Sequence, residues 1–588
     1  MAAKAIDSAV TPRSDNDPTK RGIAANEKFC GVEADGQRGH DPSITDPSRT
    51  VNAKSKFLLG MITLALMSTI FLAALDVNII SVAIPRITAE FGSLNDVSWY
   101  GAAYSLARMA LQPTFGRLYY LFPLRIVFSL SIILFCVGSV ICATAPSSIA
   151  LIVGRAVQGS GSSGLVSGAL TLAAFVVSKQ KLPLFISILS SNYAIASVLG
   201  PVVGGVLTES RLTWRFCFWI NLHSYHLPAI SALPIAVILS LFREPHREPT
   251  KAALWEKLAS LDPIGTAILV GAVTCLILAL QWGGITLPWG HPRVWGCLLG
   301  FALMVCLFVV LQVRYKEQCV QMPLPQRLVL RWLTSISRAL IPMRILTQRT
   351  VAASCAISTF QMMSVNALTY YLPFYFQASR GLSPSASGLY ILALAVPNPF
   401  FSIISGAAVT KWGIYVPWFI ASGAVLMVGS GLLSTLDTAS NVAQIIGYQF
   451  VASAGFGMGV QIPLVAMRNV LDDADLPLGN ALYPFFQALG TSCGVALSQT
   501  IFLSALSSRL ASRLPPAEVA RILGSGDGSL SGDNVSSDLV PFIADSYSDA
   551  VQAAIYQSIA SAGLAFLCGW VVEWKRLETG PEEREETS

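Results

Sequence analysis

The sequence predicts an all-α membrane protein of about fourteen transmembrane helices, and three observations carry that prediction. Hydrophobic residues make up 53% of the 588 residues, charged residues only 12%, and the mean hydropathy is +0.59. A soluble globular chain carries about twice that charge, and so much apolar surface cannot be buried in one aqueous core. Apolar runs long enough to cross ~30 Å of hydrocarbon recur along the chain. The short loops between them hold Lys and Arg unequally, as in a chain threaded through a bilayer.

Residues 1 to about 55 are polar, with scattered charge and no apolar periodicity, and read as a disordered cytosolic tail; a signal peptide would need an early apolar core. The spans then fall at about 57–84, 97–117, 124–144, 149–177, 184–207, 214–241, 263–282, 293–313, 350–377, 386–409, 414–434, 442–467, 479–505 and 550–572. About seventeen Lys or Arg, among them Arg117, Arg125, Lys179, Lys181 and Lys411, fall on the side of the N-terminus, against about five on the other. Both termini are therefore expected in the cytosol. The polar stretch at about 506–549 would lie outside, and it holds the acceptor sequon Asn534-Val535-Ser536, a candidate glycosylation site. Between Pro323 and Pro342 a basic amphipathic segment, "QRLVLRWLTSISRA", reads as an interfacial helix or a dispensable insertion. His223 and His226 sit near a span boundary and read as a solvated pair.

Composition also excludes functions. The 39 basic and 33 acidic residues give only +6, and the basic ones are spread over short loops, so nucleic-acid binding has no footprint. Most of the eleven cysteines lie inside apolar runs without paired spacing and read as small packing residues, so no metal or cofactor is expected. Five scattered histidines supply no clustered catalytic groups, so no enzyme is expected. No folded soluble domain accompanies the spans, which argues against a non-transporting receptor, and no obligatory protein partner is evident.

Three stretches carry chemistry. In "AIASVLGPVVGG", Ala196, Gly200 and Gly204 recur at i, i+4 and i+8 on one helix face, as lipid-embedded helices need for close approach. Pro201 frees a backbone carbonyl and bends the span, and Gly205 extends the small-residue pattern. In "LAALDVNIISVAIP", Asp76 is the one carboxylate at membrane depth. Desolvation penalises its charged form, which suits it either to load and unload a proton or, closer to the interface, to fix the helix. Two arginines also lie within spans, Arg108 in "SLARMALQP" and Arg155 in "RAVQGSGSSG". Arginine stays charged, so each must face a wet cavity or a partner; Arg155, beside Gln158, fits that role, while Arg108 either snorkels or pairs with Asp76. A candidate substrate cavity is marked by Arg108, Gln158, Tyr371, Gln377, Gln461 and Gln487, with Tyr370, Tyr375, Phe485 and Phe486 beside them. So little fixed charge suits a bulky, largely apolar organic solute.

These stretches together resemble the major facilitator superfamily, and within it the fourteen-span drug:proton antiporters of the fungal toxin and multidrug efflux branch. "ASVLGPVVGG" matches the fifth-span antiporter motif, with Ala196 where a glycine is usual; "RAVQGSGSSG" matches the fourth-span motif whose arginine, here Arg155, the family links to proton coupling. "LDVNIISVAIP" is similar to the first-span motif, with Asn78 and Ser81 substituted, and "LTWRFCFWINL" to the start of the sixth span. The loop motif departs from the pattern: Tyr120 and Thr410 stand where Asp is usual, and Pro123 replaces a Gly.

The resemblance implies two six-helix bundles of inverted repeats with two helices inserted between them. It divides the chain into a tail over 1–55, an N-terminal bundle over 56–241, a linker with the two extra helices and a basic cytosolic loop over 242–349, a C-terminal bundle over 350–575 and an acidic cytosolic tail over 576–588. It also implies a proton-driven exporter of an amphipathic toxin, secondary metabolite or drug in the plasma membrane, with the vacuolar membrane as the other location. Asp76 and Arg155 would couple the proton, and the face of Ala196, Gly200, Pro201, Gly204 and Gly205 would be the packed hinge that stops proton leakage. The alternative function is a proton-coupled importer, such as a siderophore transporter.

Overall fold

The structure, a computed structural model, describes residues 53–92, 96–210, 213–222, 232–242, 261–284, 287–317, 340–525 and 539–577. All but the last two residues of the expected interfacial segment from Leu324 to Ile341, together with His223, His226, the sequon at Asn534 and nearly all of both tails, lie outside the described residues. Among the described residues the regular elements are all helices, and β-type pairing is limited to two isolated bridges, Gly283 with Leu287 and Ile414 with Arg576. Lipid forces this outcome, because a spanning backbone with no water around it must bond to itself.

The N-terminal part runs α1 (Ala53–Phe91), α2 (Val97–Leu121), α3 (Leu124–Ala143), α4 (Ser148–Val176) and α5 (Leu182–Glu209), with α6 (Phe216–Trp219) and α7 (Ala232–Leu241) along the sixth segment. Next come α8 (Pro263–Trp282) and α9 (Pro292–Glu317). The C-terminal part contains α10 (Met343–Leu346), α11 (Arg349–Phe374) with a π turn at Tyr375–Ser379, α12 (Pro384–Ala395), α13 (Pro397–Trp412), α14 (Val416–Leu433), α15 (Val442–Gly459), α16 (Ile462–Val470), α17 (Leu476–Ala511), α18 (Pro516–Ser525) and α19 (Val540–Val571). The tenth and twelfth segments each break once, and Pro397 and Pro463 stand in the first turn after the break, where a missing N–H leaves no bond unmade.

Eleven helices among the described residues are long and apolar enough to cross a membrane, and they fall on eleven of the expected segments. The second, fifth and sixth segments are not among them: α2 carries Arg108, Gln112 and Arg117, α5 counts only as a shorter apolar helix over Leu182–Ser197, and the sixth is described in two pieces. The polar stretch expected as a loop from about 506 is partly helix, since α17 runs to Ala511 and α19 starts at Val540. Hydropathy measures lipid thickness, and a helix can continue past it; an ion pair of 2.7 Å between Arg509 and Asp549 ties the two extensions together.

Glycines set how closely the helices approach. A Cβ on Gly138 would collide with the Gln158 backbone, and one on Gly161 with Phe135, which seats α3 on α4. Gly429 against Ala452 and Gly455 against Leu426 seat α14 on α15 in the same register, so the two parts repeat one packing. They meet at the face where α1 begins and α2 ends, here the near face. There a Cβ on Gly116 of α2 would lie 2.5 Å from Ala481 Cβ of α17, and one on Gly406 of α13 would lie 2.8 Å from the Pro183 carbonyl of α5. Asn480 of α17 donates to Thr171 of α4 at 3.3 Å on the same side. α5 packs along α13, which ends at the near face, rather than along α12. The near face is therefore shut.

Candidate functional site

The described part of the sixth segment, α1, α3 and α4 enclose Asp76, which has no exposed surface. Helical spacing puts Arg155 and Gln158 of α4 on one face, three residues apart, and Gly159 lets that helix press against the Tyr104 backbone of α2. Arg155, 1% exposed, places NH1 2.5 Å from Asp76 Oδ2. Its Nε donates to the Tyr100 carbonyl at 3.0 Å, NH1 also donates to Gln158 Oε1 at 2.8 Å, and the guanidinium carbon stands 4.4 Å from the Tyr104 ring centroid. Asp76 Oδ1 accepts from Gln158 Nε2 at 2.7 Å and from Asn221 Nδ2 at 3.0 Å. Both amides donate in addition to Ser139 Oγ of α3, at 2.7 and 3.1 Å. A buried ion pair survives only when further hydrogen bonds satisfy the lone pairs it takes from water, and here both carboxylate oxygens are served.

The structure thus brings Asp76, Arg155 and Gln158 together, and it chooses between the two arginines. Arg108 lies one turn beyond Tyr104 on α2, partly buried, and is not among the donors to Asp76. Sequence reasoning missed Asn221 and Ser139. The signal for Asn221 was an amide inside the apolar "FWINL", a kind of residue that often merely joins membrane helices. Asn221 is held from the far face, where Trp214 and Arg215, at the start of its segment, donate to Glu90 of α1 at 2.6 and 2.7 Å. Arg215 also donates to the Ala145 carbonyl at 3.0 Å and lies over the Trp214 ring.

The small-residue face of α5 packs on α1 beside the carboxylate. Ala196 is fully buried with Ala74 and Leu75, a Cβ on Gly200 would lie 2.6 Å from Asn78 Cβ, and one on Gly204 2.6 Å from the Ile79 carbonyl. α5 runs through Pro201 without a break, although the side chain of Pro201 is outside the described set, and Gly205 is only partly buried.

The expected cavity residues do not converge. Gln487 donates to Tyr483 at 2.7 Å, and the Tyr483 hydroxyl reaches Gln461 at 3.4 Å and also donates to the Val460 carbonyl, so these two glutamines share one tyrosine between α15, α16 and α17. Gln377 sits apart in the π turn, donating to Ser387 at 3.3 Å. Tyr371 is 5% exposed in an aromatic core with Phe374 and Phe502, whereas its neighbour Tyr370 is 53% exposed. Among the described residues no cluster of three or more His, Cys, Asp or Glu is placed to hold a metal.

Comparison with known proteins places this arrangement. Residues 66–495 match the family model of the Major Facilitator Superfamily. The MFS-type transporter ltbE of Aspergillus luteorubrus is 35% identical over 90% of this chain and 92% of its own length. Efflux pump bfoC of Aspergillus brasiliensis is 34% identical over 93% and 94%, and efflux pump aflT of Aspergillus parasiticus 38% identical over 80% and 86%. Among solved structures, the human organic anion transporter MFSD10 aligns with a TM-score of 0.54 at 12% identity, over 89% of this chain and all 100% of that one. The proton:xylose symporter XylE aligns with a TM-score of 0.52 at 15% identity, over 91% and 99%. At those identities the likeness is one of fold, and the relatives carry the assignment: this multi-pass membrane chain belongs to the Major Facilitator Superfamily.

Proposed function

We propose that the chain is a proton-coupled efflux transporter that exports an amphipathic organic compound, a toxin, secondary metabolite or drug, by alternating access. The observation that carries the reading is the buried pair of Asp76 and Arg155. Its direction is supported by relatives named efflux pumps that align along nearly the whole chain. The basic loops put the near face in the cytosol, so the conformation described is shut to the cytosol and suits release to the outside. In it Arg155 and the Asp76 carboxylate hold each other. A proton taken up from outside cancels the carboxylate charge and leaves Arg155 with neutral oxygens only, those of the Asp76 carboxyl, Gln158 and Tyr100. The lock between α1 and α4 then weakens, and the bundle can return to face the cytosol, where the proton leaves as substrate loads. The proton gradient drives the cycle, with no bound cofactor, and at the plasma membrane it runs inward. Substrate contacts would come from groups such as Tyr370 and Gln487, which carry no fixed charge.

The test is export of a fluorescent lipophilic compound from yeast expressing the wild type or Asp76→Asn, with and without an uncoupler. Wild-type export that both the substitution and the uncoupler abolish, at equal surface expression, supports the reading. Export by Asp76→Asn at the wild-type rate removes Asp76 from the coupling step, and uncoupler-dependent accumulation in place of export reverses the direction.

A further inference from the structure

The proton-coupling reading leaves a chemical problem at Asp76. Oδ1 faces two N–H donors, from Gln158 and Asn221, which suits a carboxylate. A protonated carboxyl is itself a donor, so a proton on Oδ1 would meet two hydrogens, and one of the amides must give way. Gln158 is held at both ends: its Oε1 accepts from Arg155 and its Nε2 donates to Asp76 and Ser139. Asn221 is held only at its nitrogen. Its Oδ1 is fully buried and has no hydrogen-bond partner among the described residues, which costs this state free energy and calls for an explanation such as a second state that uses the atom.

We propose that Asn221 is a positioning residue that reads the proton on Asp76 by exchanging its amide. The proposal rests on Asp76 being the proton carrier. A hydronium ion gives its proton to Oδ1, the O–H bond forms on Asp76, and water leaves. The Asn221 amide turns by half a revolution, so that Oδ1 of the amide accepts from the new O–H. Ser139, whose hydroxyl accepts from both amides in the ionised state, rotates its own hydrogen to the same oxygen. One amide atom of Asn221 lacks a partner in either state, so the residue does not hold the site in one of them. Because Asn221 follows α6, whose neighbouring Trp214 and Arg215 are fastened to Glu90, the proton load on α1 is felt in the sixth segment. Among the described residues the other titratable and charged groups around the carboxylate are Arg155 from α4, Tyr104 from α2 with Arg108 beyond it, Cys142 from α3 and Cys217 from α6, while α5 turns Ala196, Gly200 and Gly204 toward this stretch of α1.

The experiment is an acid-minus-neutral infrared difference spectrum of the full chain in liposomes, with asparagine carbonyls labelled with carbon-13, beside efflux by Asn221→Thr and Asn221→Val. The expected result is one titration in which an Asp76 carboxyl band, absent from Asp76→Asn, rises together with a shift of an asparagine carbonyl band that Asn221→Thr lacks. Threonine can still donate and accept, so Asn221→Thr should export within about twofold of wild type. Valine has the same shape without those atoms, and Asn221→Val should export roughly tenfold to a hundredfold more slowly, as for one lost hydrogen bond to a charged group. The proposal is overturned if the carboxyl band titrates with no asparagine shift, or if Asn221→Val exports like the wild type; the coupling reading survives both. A carboxyl band that never forms overturns both. The wild-type spectrum decides even where Asn221→Val does not fold.

Discussion

Arg155 has one place to put its charge, and that fixes what its removal must do. Truncating one partner of a buried pair leaves the other charge unpaired, at about 3–5 kcal/mol, whereas replacing both with neutral groups costs much less. We therefore expect Arg155→Ala to lower the thermal unfolding midpoint in detergent well below that of the wild type, and Asp76→Asn combined with Arg155→Ala to recover most of the loss. A double variant no more stable than Arg155→Ala would mean that the pair is not the source of the effect. On the far face, Glu90 lies beyond the apolar run at about 57–84, near the end of α1, and is 44% exposed. The indole N–H of Trp214 holds its carboxyl below the ordinary value of 4.5, with Arg215 adding to the effect and burial opposing it. A lowered folded-state pKa contributes stability that is complete above the unfolded value and is lost as pH falls through the folded one. The midpoint of the wild type should thus drop more steeply than that of Glu90→Gln between about pH 5 and about pH 3, and parallel curves would refute the contribution. At this scale the sequence is uneven in what it reveals. Asp76 stands out because a carboxylate at membrane depth is rare, but which arginine meets it depends on how α2 and α4 turn, and that is set by glycine contacts such as Gly159 on Tyr104. Asn221 and Ser139 stay hidden because single amides and hydroxyls are common in apolar helices.

Between elements the decisive contact is the docking of α5 on α1. The spacing of Ala196, Gly200 and Gly204 announces a helix that must touch another, but not which one, since small residues specify closeness and not identity. The structure supplies the partner, the stretch of α1 from Ala74 to Ile79 that also carries Asp76. Two of these contacts leave no room for a methyl group: the neighbour of Gly204 is a backbone carbonyl, and that of Gly200 is the Cβ of Asn78, neither of which can swing aside. Overpacking of this kind costs about 1–3 kcal/mol. Gly204→Val should accordingly export less and let protons leak into liposomes that hold a pH gradient but no substrate, because α1 moves off its seat. A proton-tight Gly204→Val with full export would show that this face is generic packing. Segment positions were legible in the sequence because apolar length is set by lipid, and segment ends were not, because α17 and α19 keep their helical bonding in the polar region outside it.

Among the described residues the molecule is a repeated fold with a buried carboxylate at membrane depth in one half only, Asp76. Gly138 and Gly161 place Gln158 against α3, and Gly429 and Gly455 place Ala452 against α14, so Gln449 occupies in the second half the position of Arg155 in the first. Hydroxyls stand where the first half has its polar cluster: Ser430 bonds Ser558 at 3.0 Å and Ser558 meets Ser364 at 2.7 Å, three helices joined without a carboxylate. In the proposed cycle proton loading falls in one half, and transport requires that the halves move against each other, which the shut near face must permit by opening. That face can be locked. A Cβ on Gly406 would lie 3.0 Å from Ser187 Cβ, and a disulfide needs about 3.5–4.5 Å, a difference that small adjustments of α5 and α13 supply. Ser187→Cys combined with Gly406→Cys should form a disulfide under mild oxidation that stops export, and reductant should restore it, while either single variant is indifferent to both reagents. Complete cross-linking with export intact would mean that the contact between α5 and α13 never opens. The route from the cytosol would then have to pass elsewhere, and alternating access about this face would fail as the mechanism.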